Sequence, residues 1–311
     1  MSTRSNDPTP VQAPPLLTGS LAACVHAALA HWGEQTPYDC VAALSGASFS
    51  PVLRTSVQCP AWWAVSGTGQ RLEFMGFALG FRVEASPQDG AHDPEGMAEF
   101  ALMASSALRE GAVVLYAVWP SWGIITGEMP HGDLAFLLGT RDAHFPPRAY
   151  VLRRTTRMLS RGEAVRESLR FGAAAAAGST GASSFSAGNA FYDAWLSALN
   201  WGRSCPKCSQ SSWYCAVATA GRVRSMQLCA AAYLRRANSL LPDVARTGQL
   251  DQIARSYDAM ARMLAPYARG ASGALPKADA RTRGCCLAAV RDVGKIHQAV
   301  AQSMSDLAVG L

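Results

Sequence analysis

A chain of 311 residues that is 49% hydrophobic and 16% charged has the makeup of folded domains, and its length suits two of them. No apolar run approaches the ~20 residues needed to cross a bilayer. The N-terminal MSTRSNDPTPVQAPPLLTG lacks the apolar core of a signal peptide, so a cytoplasmic protein without a membrane span is expected.

The net charge of +6 hides an asymmetry, since residues 1–150 carry 7 Lys+Arg against 13 Asp+Glu (−6) and residues 151–311 carry 21 against 9 (+12). A basic half suits a polyanion. Its arginines, among them Arg153, Arg154, Arg157, Arg222, Arg224, Arg235 and Arg236, are nevertheless spread along predicted helices without a nucleic-acid motif. Nucleic acid is therefore not the expected partner, and an acidic carrier protein or the acidic half itself matches the charge as well. Nine cysteines, an odd number without a secretion signal, fit free thiols better than a disulfide framework.

In chain order, residues 1–18 read as a disordered arm. Ser20 is placed to cap a helix over LAACVHAALAHW, where Leu21, Val25, Leu29 and Trp32 recur at helical spacing and Gly33 ends the run. Cys24 then falls in the first turn. A short helix follows from Tyr38 to Leu44, and Ser48 to Trp63 reads as irregular. Gln70–Leu79 and Pro94–Arg109 read as helices, with a strand at Phe81–Ala85 between them. Four β-rich runs, Ala112–Val118, Trp122–Thr126, Leu134–Leu138 and Ala149–Leu152, suggest an antiparallel meander. Helices followed by an antiparallel sheet make an α+β domain over 19–172. A helix is expected near Gly162–Phe171, and the Ala/Gly/Ser-rich stretch 173–190 reads as a linker. Beyond it, 191–311 reads as an all-α helical bundle, with helices over Phe191–Leu199, Trp213–Leu241, Gln249–Ala268 and Thr282–Leu307.

A thiol in the first turn of a helix sits where backbone N–H groups favour a negative charge, so Cys24 is the candidate nucleophile. Burial as an ordinary core cysteine is the competing reading. Residues 18–49, TGSLAACVHAALAHWGEQTPYDCVAALSGASF, resemble the opening of the butirosin biosynthesis protein H N-terminal family and of bacteriocin-processing double-glycine cysteine peptidases. The later runs AVVLYAVWPSWGIITG, DLAFLLG and YVLRRTTRMLSRGEAVRESL are similar to that family's sheet and following helix, and FYDAWLSALNW to the helical extension of butirosin H-like proteins. The resemblance implies a papain-like N-terminal domain. It further implies thiol-dependent acyl transfer, or amide or thioester cleavage, on a small peptide or carrier-bound acyl substrate.

That chemistry needs a histidine beside the thiol. Aligning WGIITG with the family's strand puts Ser121 or Trp122 where its histidine belongs. Of the six histidines, His131 in the turn GEMPHGD and His144 before a Pro-Pro pair are the candidate bases, since His26 is two residues from Cys24 and does not face it on a helix. Glu128, Asp133 and Asp142 are the nearby carboxylates, and Trp62, Trp63, Trp119 and Trp122 could line a cleft. With the dyad incomplete, a non-catalytic binding module of the same fold is the alternative.

The second cysteine cluster supplies a further alternative, a thiolate metal-binding protein. Cys205 and Cys208 in Cys-Pro-Lys-Cys, with Cys215, form a three-thiolate set suited to zinc or a softer metal. Cys229 follows Cys215 by fourteen residues, about 21 Å along an unbroken helix, and joins only if the helix breaks at Gly221. No other cofactor is expected, and Cys285 and Cys286 read as packing.

Overall fold

A computed structural model describes residues 20–54, 69–85, 94–118, 121–128, 134–138, 148–178, 185–199, 212–245, 248–268 and 279–311. These fall into two compact units. The first takes the described residues up to Val41 and those from Gly67 to Met158, and the second takes Ala42–Ser66 and Leu159–Leu311. The expected arm 1–18 lies outside the described residues.

In chain order the elements begin with α1 (Leu21–His31), α2 (Tyr38–Leu44), β1 (Val52–Arg54), α3 (Gly69–Leu79), β2 (Phe81–Ala85) and α4 (Pro94–Arg109). Strands β3 (Val113–Val118), β4 (Ser121–Glu128), β5 (Leu134–Leu138) and β6 (Arg148–Arg154) follow. The chain continues through α5 (Arg161–Ala176), β7 (Phe185–Ala187), α6 (Asn189–Leu199), α7 (Ser212–Leu240) and α8 (Pro242–Ala245). It closes with α9 (Gln249–Leu264), a 3-10 turn at Ala265–Tyr267, and α10 (Ala280–Val309). The architecture is α+β, as expected. No helix among the described residues is long and apolar enough to cross a membrane.

The first unit is built on a five-stranded sheet of order β2-β6-β3-β4-β5, antiparallel throughout. The expected meander is corrected here. β6 does not extend the sheet beyond β5 but returns beside β3, so β3 to β6 have the 4-1-2-3 order of a Greek key. The reason is visible in the pairing of Leu152, which faces Val83 of β2 on one side and Val113 of β3 on the other. An apolar strand buried on both edges and both faces is worth more in the middle of the sheet than at its rim.

Residues paired in register share a face of the sheet. Val114, Tyr116, Ile125, Ala149 and Val151 form one core with Ala104 and Ala107 of α4. The opposite face carries Leu115, Trp122, Ile124, Tyr150 and Leu152, all buried. Trp32 at the end of α1 lies against Phe81 on that face, with ring centroids 6.4 Å apart. Arg154, paired with Phe81, donates from Nη1 to the Trp32 carbonyl at 3.1 Å. Helix α1 starts where the sequence expects, because the Ser20 hydroxyl accepts from the Ala23 N–H.

The second unit is the helical one, and α7, α9 and α10 pack side by side in it. Helices α9 and α10 each bury a stripe of alternating three- and four-residue spacing: Leu250, Ile253, Tyr257, Met260 and Leu264 on α9, and Cys286, Val290, Val293, Val300, Met304 and Leu307 on α10, with the polar His297 between Val293 and Val300. Helix α5 carries a capping box in which Ser160 and Glu163 satisfy each other's backbone N–H groups. Its run reaches Ala176, so the first residues of the expected 173–190 linker are helix, and Phe185–Ala187 pair with Val52–Arg54 as strands. Residues 179–184 lie outside the described set.

The division by contacts thus differs from a boundary at residue 172. Its physical basis is the LSGASFS segment that follows α2. Ser168 donates to the Ala43 carbonyl at 3.1 Å, Tyr257 donates to the Phe49 carbonyl at 2.9 Å, and the Gly188 N–H donates to Ser50 Oγ at 2.9 Å. Gly46 has φ +81, and a Cβ there would stand 2.2 Å from the Phe171 ring, so only glycine fits the turn. A stretch expected to belong to the N-terminal domain is therefore wedged into the helical core.

Candidate functional site

Cys24 is the fourth residue of α1, and its N–H donates to the Ser20 carbonyl at 3.1 Å, so it occupies the first turn as expected. Two effects compete there. The positive end of the helix favours a thiolate by ~1 kcal/mol, whereas desolvation of a fully buried group shifts its pKa by up to ~3–5 units. Burial dominates: Cys24 is 0% exposed, and burial pushes its thiol well above the ordinary range. Neighbouring α1 residues Leu21, Ala22, Ala23, Val25, Ala27 and Ala28 are buried with it, which makes this helix a core element on nearly every side. The Tyr116 phenol is pushed up to about 12, first by burial and then by the charge a Cys24 thiolate would carry.

The histidines divide by location. His26 is half-buried, with its ring edge-on to Tyr38 at 5.5 Å and its Nδ1 unpartnered. Burial lowers its pKa, partly offset by a backbone hydrogen bond at Thr36. Two positions along a helix turn it about 200° away from Cys24. His31 is exposed at the far end of α1, about 10 Å further along the axis. The candidate bases His131 and His144 lie outside the described residues, as do Asp133, Asp142, Trp62, Trp63 and Trp119. Of the two strand positions where the resemblance would put a histidine, Ser121 and Trp122, Trp122 is buried and packed on Tyr150 with ring centroids 5.5 Å apart.

Of the expected thiolate set, Cys205 and Cys208 lie outside the described residues, while Cys215 is buried in α7. Helix α7 runs unbroken through Gly221, so Cys215 and Cys229 stand about 21 Å apart and cannot ligate one ion. No group of three metal-ligating side chains occurs among the described residues. Cys286 is core, its thiol pushed up to about 12 by burial, whereas Cys285 is exposed, contrary to a packing role.

A cleft of about 230 Å³ opens in the first unit at the C-terminal ends of α1 and α3, bounded by Leu29, Trp32, Leu79, Gly80, Arg154 and Arg157. Its arginines have a structural account. Arg154 pairs with Glu34 at 2.8 Å besides bonding the Trp32 carbonyl, and Arg157 lies 3.7 Å from the same carboxylate. Guanidinium groups there complement the negative ends of two helices.

The polar cluster that sequence reasoning missed lies in the helical unit. Tyr192 and Trp195 of α6, Gln227 of α7 and His297 of α10 are all buried, Gln227 at 3% and His297 at 1% exposure. Tyr192 is the hub: its ring centroid is 5.2 Å from that of His297 and 6.5 Å from that of Trp195. Gln227 reaches toward the Tyr192 hydroxyl, and His297 toward the Ala176 backbone, without either contact attaining full hydrogen-bond geometry. Six polar atoms are thereby left without a well-formed partner: Tyr192 Oη, Trp195 Nε1, both amide atoms of Gln227 and both ring nitrogens of His297.

An unsatisfied buried group costs about 1–3 kcal/mol. Several together would amount to a large share of the ~5–15 kcal/mol that stabilises a whole domain. Two of these residues had a readable signal. Gln227 interrupts the α7 stripe Ala216, Ala220, Val223, Ala230, Leu234, and His297 interrupts that of α10, each a polar residue at an apolar period.

No family model matches the chain, and no curated protein matches it.

Proposed function

We propose that the N-terminal part is a papain-like fold in which the cysteine helix serves as core, and that the protein acts as a non-catalytic binding module for a small peptide or carrier-bound acyl group. The observation that carries this reading is the state of Cys24, wholly enclosed and with its thiolate disfavoured by burial. The lack of a histidine at either strand position the resemblance offers, Ser121 or Trp122, supports it, since neither a hydroxyl nor an indole readily takes a proton from a thiol. Iodoacetamide labelling at neutral pH, read by peptide mass spectrometry, tests it. Cys24 should remain unmodified in the native chain under conditions that alkylate it fully in urea. Labelling of native Cys24 faster than in urea would sink the reading.

The second reading, acyl transfer through Cys24 with His131 or His144 as base, draws on one observation, the thiol's place in the first turn of a capped helix. It predicts rapid alkylation that slows in His131→Ala or His144→Ala. Unchanged alkylation in both variants would exclude these two histidines as the base.

A further inference from the structure

The six underserved polar atoms around Tyr192 do not satisfy one another. Gln227 reaches toward the Tyr192 hydroxyl and His297 toward the Ala176 backbone, and neither contact answers the Trp195 indole N–H. The indole N–H of Trp195 only donates, while the Gln227 amide, the Tyr192 hydroxyl and a neutral imidazole each offer both a donor and an acceptor. Whatever completes the cluster must therefore accept from the indole and also donate. It must be uncharged, because all four side chains are neutral at neutral pH and offer no counter-charge. It must also be small. Gly294 of α10 lies so close to α6 that a Cβ on it would stand 3.2 Å from the Tyr192 Cβ, which leaves little width between these helices.

We propose that Tyr192, Trp195, Gln227 and His297 line an internal binding site for a small neutral molecule that both donates and accepts hydrogen bonds. Two sources supply that chemistry, ordered water and an organic solute of the primary-amide type, whose donor and acceptor edge matches that of Gln227.

The sign of one substitution tests occupancy. If the site is empty, Gln227→Met in the full chain removes two unsatisfied atoms, keeps the volume and raises the thermal midpoint. If the site is occupied, the same change strips the occupant of its partners and lowers the midpoint. The second measurement does not depend on the variant folding: the Trp195 indole N–H, assigned in the parent through its loss in Trp195→Phe, is examined by NMR for a cross-peak to a long-lived bound molecule. A water cross-peak identifies water as occupant. A cross-peak to added acetamide, with a midpoint that rises with acetamide in the parent and not in Gln227→Met, identifies the amide class. A raised midpoint in Gln227→Met, or a Trp195 indole that shows neither cross-peak, overturns the proposal.

Discussion

Lowering the pH should destabilise the helical unit through one residue, His297. Burial holds its imidazolium pKa down to about 4, against an ordinary 6.5, with the Ala176 backbone opposing the shift. The unfolded chain takes up this proton below pH 6.5 and the folded chain resists until about 4, so the unfolded state binds more protons throughout that window. Stability is therefore whole above pH 6.5 and falls with the pH, by roughly 2 kcal/mol at pH 5 and roughly 3 kcal/mol at pH 4. Urea unfolding followed by far-UV circular dichroism between pH 7 and 5 isolates the histidines. The carboxyls of Glu110 and Glu163, held below their ordinary 4.5 by hydrogen bonds from Arg153 and Ser160, lose their contributions only as the pH falls below that value. His297→Gln should flatten most of the slope. His26→Gln measures the separate share of His26, whose imidazolium burial also disfavours. A parent midpoint that does not move between pH 7 and 5, or a His297→Gln slope equal to the parent's, would refute the assignment.

Gly46→Ala should destabilise the chain by about 2–4 kcal/mol in urea unfolding, because it adds left-handed strain to a clash with Phe171, and Phe171→Ala in the same chain should relieve part of that loss. Tyr257→Phe strips the Phe49 carbonyl of its buried donor, with an expected loss of about 1–3 kcal/mol by the same assay. Ser160→Ala removes one half of the α5 capping box and should cost about 1 kcal/mol, recovered in large part by Ser160→Asp.

Helix α1 was legible because its signals are local: Ser20 before an apolar period and Gly33 after it decide start and stop without help from the rest of the chain. The α9 stripe was legible for the same reason, since Leu250 to Leu264 repeat with the helix's own period. The position of β6 was not. Its alternation marks a strand, but alternation is blind to which neighbour completes the ladder, and only the meeting of Val83, Leu152 and Val113 placed it centrally. Helical placement of Cys24 was likewise readable, whereas its chemistry was not, because a helix dipole is a property of sequence order and desolvation a property of everything packed around the thiol.

By itself, then, the sequence determined most of the elements, though not the β1 and β7 strands, together with the α+β class and the position of a cysteine in a first helical turn, all of which depend on residues within a few positions of one another. Tertiary structure alone decided that this thiol is enclosed, that Phe49 belongs to the helical core, and that Gln227 and His297 come to lie around Tyr192. Burial and long-range pairing depend on which faces meet, and residues dozens of positions apart carry no local mark of the partner they will find.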